Sequence, residues 1–293
     1  MHIGGKRLKE FNQVVDNGTF HGYEIENSNL PALICLHGMT SDSKSFLELI
    51  DHLKSDFHLI LLDLPGHGET ELLKEEKDYQ FSSVVKRVHS VIQKRIKKPF
   101  YLLGHSWGAD LALHFGAEFP DEIIGIVLID GGYVFPEQVD GMTEEKALES
   151  WEEYIGSSQY NSWNEVVKDY QQFTTREWDD RLDTIVYSNF KKEESKYILR
   201  ADRKSLLATI RAFYIEPCSK TYQHIKCPVL LFYSTIPDND PTRDKGINRI
   251  KKELDDIKVI GIKNTKHNVH WDYPEKVADE IKVWKKELYE STY

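Results

Sequence analysis

Short, nearly continuous apolar runs alternate along this chain with longer stretches in which apolar residues recur every three or four positions. Ala32-Leu33-Ile34-Cys35-Leu36, Phe57-His58-Leu59-Ile60-Leu61-Leu62, Pro99-Phe100-Tyr101-Leu102-Leu103 and residues 123–129 are runs of the first kind. They predict strands buried on both faces, as in a parallel sheet. Residues 19–26 read as a strand of an early hairpin. Residues 45–53 place Phe46, Leu49, Ile50 and Leu53 on one face of a helix, and residues 81–96 form a second amphipathic helix. This β-α-β-α alternation predicts a mostly parallel sheet with helices on both faces. From about Val134 to Cys218 the pattern breaks. That stretch shows no convincing buried strand and is rich in charge and aromatic residues, so it reads as an inserted helical cap. The sheet resumes at Pro228-Val229-Leu230-Leu231-Phe232-Tyr233 and ends at Val259-Ile260-Gly261-Ile262. Residues 274–289 form a final helix with Pro274 in its first turn. The expected organisation is a core of residues 1–133 and 219–293 carrying a cap over 134–218.

Composition narrows the function classes. The chain has 293 residues, 40% hydrophobic and 29% charged, with a formal net charge of −10. These are values of a soluble globular protein large enough to bury a sizeable core. The negative charge argues against nucleic acid and anionic membrane surfaces as partners. The basic run Lys94-Arg95-Ile96-Lys97-Lys98 sits near a helix C-terminus, where cations suit the helix dipole. Met1-His2-Ile3-Gly4-Gly5-Lys6 carries no apolar signal core, and no apolar run is long enough to cross a membrane. Cys35, Cys218 and Cys227 are widely spaced without a metal-binding pattern. A reduced, cytoplasmic protein is expected.

The candidate chemistry starts at Gly104-His105-Ser106-Trp107-Gly108. This G-x-S-x-G segment follows a predicted strand and opens the helical segment Ala109-Asp110-Leu111-Ala112-Leu113-His114-Phe115. A strand, a glycine-flanked serine and a helix make a nucleophile elbow, a turn so tight that its neighbours must be small. Such a serine attacks a carbonyl when a histidine and an acid reach it.

With three further motifs in order, the chain resembles the α/β-hydrolase fold family over nearly its whole length. They are His37-Gly38 after one core strand, Asp63-Leu64-Pro65-Gly66-His67-Gly68 after the next, and His267-Asn268-Val269-His270-Trp271-Asp272-Tyr273-Pro274 near the end. The resemblance implies Ser106 as nucleophile and His267, about seven residues before the Pro of the last helix, as its base. His270 is the rival base. His-x-x-His could suggest a metal, but no third ligand is evident, and no metal or organic cofactor is expected. The family places the acid at one of two strand ends. Asp130, in Ile129-Asp130-Gly131-Gly132, occupies one. At the other, Ser234-Thr235-Ile236-Pro237-Asp238-Asn239-Asp240, Ser234 replaces the usual glycine and Pro237 stands at the acid position, leaving Asp238 and Asp240 out of register. Asp130 is favoured, with Asp238 the alternative and Asp240 behind it. The oxyanion donors implied are the Trp107 and Met39 N–H groups. His37, Gly38 and His105 are candidates for shaping the substrate site, although His37, His67 and His105 equally suit structural roles. The Asp63–Gly68 motif is given no chemical role. Among the cap aromatics, Trp151, Tyr154, Trp163 and Trp178 are candidates to face a ligand.

The function expected is a serine esterase acting on a small to medium, largely apolar ester. Lactone, thioester, C–C bond, aminopeptidase and perhydrolase chemistry are alternatives on the same groups. A small-molecule receptor that retains the triad is the alternative outside catalysis.

Overall fold

The computed structural model describes residues 2–3, 6–16 and 18–291. Eight strands form one sheet: β1 (Lys9–Val15), β2 (Gly18–Ile25), β3 (Ala32–Leu36), β4 (His58–Leu62), β5 (Phe100–His105), β6 (Ile123–Ile129), β7 (Val229–Ser234) and β8 (Ile257–Ile262). Their spatial order is β8-β7-β6-β5-β3-β4-β2-β1. The hairpin β1–β2 joins one edge antiparallel, and the strands from β3 to β8 run parallel. Alternation along each strand explains the apolar runs. Ala32, Ile34 and Leu36 of β3 enter one core, while Leu33 and Cys35 enter the other. Phe100 and Leu102 of β5 divide from Tyr101 and Leu103 in the same way. A strand with both faces buried has no polar phase, which is why its sequence does not alternate.

Helices cover both faces. On one lie α1 (Leu47–Leu53) and the C-terminal α10 (Pro274–Ser291), and on the other α2 (Phe81–Gln93), α3 (Trp107–Glu118) and α8 (Pro241–Glu253). Between β6 and β7 the chain makes its excursion, with α4 (Glu144–Ser157), α5 (Trp163–Tyr170), α6 (Asp180–Ser188) and α7 (Arg203–Ile215). Each of α4 to α8 begins at a Thr, Ser or Asp whose side chain accepts a first-turn N–H: Thr143, Ser162, Asp179, Asp202 and Asp240.

The excursion is not all helical as expected. Gln159–Tyr160, Phe190–Glu193 and Lys196–Leu199 form a small antiparallel sheet. These strands are short, and Lys191, Lys192, Glu193 and Lys196 are exposed, so no apolar run marks them.

Two buried aspartates tie loops near the strand ends. Asp63 accepts the N–H groups of Ser43 (2.9 Å) and Glu69 (2.9 Å) and lies 2.6 Å from His21 Nδ1. The Asp63–Gly68 motif is therefore a loop anchor. The second is Asp272, in the short helix α9 (Val269–Asp272). It accepts Thr174 Oγ1–H (2.6 Å), Thr175 N–H (2.8 Å) and Lys266 N–H (3.0 Å). One carboxylate thus fastens the excursion to the loop that carries His267. Asp272→Ala is expected to lower stability by about 2–3 kcal/mol, because three donors lose a charged acceptor. Limited proteolysis should then cut first within 174–178, and an unchanged digestion pattern with an unchanged melting temperature would refute this tie.

Candidate active site

Parallel strands deliver their following loops to one edge of the sheet, and the candidate residues meet there. Ser106 follows β5 directly and caps α3 with φ 53° and ψ −121°. A non-glycine residue in this region is strained and persists only where its surroundings over-determine it. Here three positions without a side chain close the turn. A Cβ on Gly104 would stand 2.1 Å from the Gly108 carbonyl oxygen, and one on Gly108 would stand 2.0 Å from that of Leu36. One on Gly131 would stand 2.4 Å from that of Ser106. The Ser106 N–H donates to the Ile129 carbonyl (3.0 Å), and its own carbonyl accepts from Ala109 N–H (2.8 Å).

His267 stands between serine and acid. Its Nε2 is 2.9 Å from Ser106 Oγ and its Nδ1 is 2.8 Å from Asp130 Oδ2. With Nδ1–H donating to the carboxylate, Nε2 is left as the acceptor for the serine proton. The His267 backbone is itself fixed, since its carbonyl accepts from His105 Nε2–H at 3.1 Å. The His267 side chain is 50% exposed, while that of Asp130 is only 6% exposed.

Asp130 is a fully engaged carboxylate. Oδ1 accepts Tyr133 O–H (2.7 Å) and Ser234 N–H (2.9 Å), and Oδ2 accepts Ser234 O–H (2.9 Å) beside His267. Burial pushes this carboxyl up. The hydrogen bond and charge of His267, with the Ser234 and Tyr133 donors, outweigh it and hold Asp130 below its ordinary value. Ser234 and Tyr133 were missed in the sequence. The signal available was Ser234 itself, which stands where a glycine was expected and supplies both its N–H and its O–H. Asp238 is exposed, and Asp240 caps α8 through the Thr242 and Arg243 N–H groups. The structure places neither against His267.

The rival base His270 points elsewhere. It is buried, with Nε2 2.9 Å from Ser45 Oγ, and its ring lies 4.6 Å from that of His105. Burial, with the nearby charge of His267, lowers its pKa to about 3. Among the described residues no group of three His, Cys, Asp or Glu is placed to hold a metal ion.

Met39, Trp107, Gly38 and His105 line the same cavity as Ser106, Asp130 and His267. Trp107 is the first residue of α3, so its N–H has no intrahelical acceptor. A Cβ on Gly38 would approach Ser106 Cβ to 3.1 Å, which keeps this wall backbone-thin. His37 does not reach the cavity, correcting its place among the substrate-shaping candidates. Its Nε2 accepts Leu64 N–H (2.9 Å) and its Nδ1–H donates to the Gly38 carbonyl (2.8 Å), so it braces the loop from below.

The cavity measures about 720 Å³ and is walled mainly by apolar and aromatic side chains. Trp151 and Tyr154 line it, but Trp163 and Trp178 do not. Both of those indoles donate to Asp183 Oδ1 (2.7 and 3.2 Å), and Trp163 packs on Tyr187, Phe190 and Tyr197. Trp163 thus packs against the small sheet, and Trp178 is tied to α6.

The family defined by the alpha/beta hydrolase fold matches residues 31–274. The chain belongs to the α/β-hydrolase family. This α/β-hydrolase is 25% identical to the serine hydrolase-like protein of Danio rerio, an alignment covering 94% of this chain and 88% of that protein. It is 24% identical to the monoacylglycerol lipase ABHD6 of Homo sapiens, over 85% of this chain and 73% of that one. The solved structure of an E-2-(acetamidomethylene)succinate hydrolase superposes with a TM-score of 0.79 at 20% identity, over 96% of this chain and all of that one. At that identity the likeness speaks for the fold alone. The chain is an enzyme, a hydrolase of esterase or lipase type. Among the described residues no helix is long and apolar enough to cross a membrane.

Two predictions follow from this geometry. Asp130→Asn leaves the imidazole without its charged partner and is expected to slow acylation of Ser106 by about 10³- to 10⁴-fold, whereas Asp238→Asn should leave it within about twofold. Reaction rates with a fluorophosphonate decide between them, and a strong effect at Asp238 alone would move the acid. The second concerns acid stability. An unfolded imidazole takes up its proton near about pH 6.5, but buried His270 does so only near about 3. In that window the unfolded state binds more protons, so stability is lost as the pH falls, by up to about 1.4 kcal/mol per pH unit for this group. Denaturant titrations of His270→Gln should show a correspondingly flatter acid limb, and an unaltered slope would refute it.

Proposed function

We propose that this α/β-hydrolase is a serine esterase that cleaves a small to medium, largely apolar ester through an acyl-enzyme. The observation that carries the reading is the unbroken hydrogen-bonded line from Ser106 Oγ through His267 to Asp130. Ser106 Oγ attacks the ester carbonyl carbon while His267 Nε2 takes its proton. Negative charge gathers on the carbonyl oxygen, where the Met39 and Trp107 N–H groups receive it. Collapse expels the alcohol with the proton from His267. Water, deprotonated by the same nitrogen, then attacks the acyl carbon and releases Ser106. Asp130 stays ionised throughout and holds the imidazolium. Every proton and charge in these steps has a residue to carry it, and the partner implied is a small molecule rather than nucleic acid.

The excursion over 134–218 acts in this reading as a cap domain on a core of 1–133 and 219–293. It supplies the substrate side of the cavity through Trp151, Tyr154, Tyr170, Phe173 and Phe213. Among the described residues lining the cavity from 134–218 none is acidic, which disfavours recognition of a free amine and hence aminopeptidase chemistry.

Peptide mass spectrometry after fluorophosphonate treatment should find one adduct, on Ser106, that is lost in His267→Ala. p-Nitrophenyl butyrate should then be turned over repeatedly. A folded protein that forms no adduct, or that releases one equivalent of product and stops, would favour the receptor reading instead.

A further inference from the structure

One cavity residue lacks the partner that its chemistry demands. Arg243 lies in the first turn of α8 and lines the cavity that holds Ser106 and His267, yet it is only 7% exposed. Its Nε is buried with no hydrogen-bond partner. Among the described residues no carboxylate stands within ion-pair distance of its guanidinium. A guanidinium does not lose its proton in a protein, so burial cannot neutralise it. The position adds a second cost, because a cation at a helix N-terminus opposes the helix dipole.

The placement is built into the fold. Gly246, one turn on, lets α8 approach so closely that a Cβ there would stand 2.2 Å from the Tyr133 carbonyl oxygen. Positions 243, 246, 247 and 250 share this buried face of α8, so Arg243 is turned inward with them. Its charge is felt at Tyr133, the tyrosine that donates to Asp130. Arg243 therefore sits on the acid side of the cavity.

The other charges around it are already engaged. Asp130 is bonded to His267, Tyr133 and Ser234, and Asp240 caps α8. Asp110 also has its own partner in the fold. No other Lys or Arg lines the cavity among the described residues.

We propose that Arg243 is a receptor for an oxyanion on the substrate, so that the preferred ester carries a carboxylate or phosphate beside its apolar body. A planar guanidinium meets either group with paired N–H donors, and binding it would give this buried cation a partner. This rests on the serine-esterase reading for the reaction, but not for the binding.

The test compares p-nitrophenyl butyrate with mono-p-nitrophenyl glutarate, which resembles it in acyl length but ends in a carboxylate. The readout is the ratio of their kcat/KM values. Wild type should favour the glutarate hemiester, Arg243→Gln should lower the ratio about 10- to 100-fold, and Arg243→Lys should restore part of it. A merely structural arginine would depress both esters together and leave the ratio unchanged, and that result overturns the proposal. A readout independent of turnover is the thermal shift given by free glutarate and by inorganic phosphate. Either anion should raise the melting temperature of wild type but not of Arg243→Gln, and the stronger of the two identifies the oxyanion. Equal shifts in both proteins, or none in wild type, would also overturn it. Failure of the fluorophosphonate to label wild-type Ser106 would count against the esterase reading alone.

Discussion

The turn at Ser106 is the constraint around which the site is organised. A left-handed serine between a strand and a helix is costly, and it survives because β3, β5, α3 and the loop after β6 press on it from three sides. Those contacts admit no side chain at Gly104, Gly108 or Gly131. The geometry they enforce lifts Ser106 Oγ off the sheet edge and leaves the Trp107 N–H without an intrahelical acceptor at the start of α3. The exposed hydroxyl of Ser106 and the free first-turn N–H of Trp107, which the proposed reaction uses as nucleophile and oxyanion donor, are thus two consequences of one backbone conformation.

The second level of organisation is a set of groups that orient His267 and the loop that carries it. Asp130, itself at φ 44°, is oriented by Tyr133 and Ser234 and so presents one oxygen to His267. His105 holds the His267 carbonyl and is kept neutral, because burial and the neighbouring histidines His270 and His267 push its pKa far down. A charged His105 would repel the imidazolium formed in the proposed reaction, so its burial serves the base it supports. Asp272 fastens the same loop to the excursion. Removing Tyr133, Ser234, His105 or Asp272 would leave Ser106, His267 and Asp130 chemically intact but misplaced.

What could be read from the sequence follows from how local each signal is. The buried strands were legible because burial on both faces writes a continuous apolar run, and the elbow because its glycines and serine are adjacent. Ser106 and His267 were placed by motif and resemblance, and the geometry brings them together. The acid stayed open among Asp130, Asp238 and Asp240 because Ser234, which orients Asp130, lies 104 residues away from it along the chain. The small sheet of the excursion was illegible because its strands are four residues or fewer and carry lysines on their open side. Trp163 and Trp178 looked like ligand-facing aromatics. Only the fold shows that both indoles are drawn to Asp183, away from the cavity.

The same locality governs specificity. The core's contribution to the cavity is nearly prescribed by the elbow, which sets Gly38, Met39 and Trp107 beside Ser106. The excursion offers mostly apolar and aromatic surface, which discriminates weakly, since a methylene more or less changes binding by only about 1–3 kcal/mol. Sharp selection requires a polar group that is left unmatched by the wrong ligand. Charged side chains of this cavity divide on that criterion. Asp130 is saturated by the protein and presents no open demand to a ligand, and Asp240 is committed to capping α8. A buried guanidinium without an internal carboxylate does present one, and a neutral ester leaves it unmet. Selectivity in this enzyme is therefore expected to follow charge more steeply than chain length.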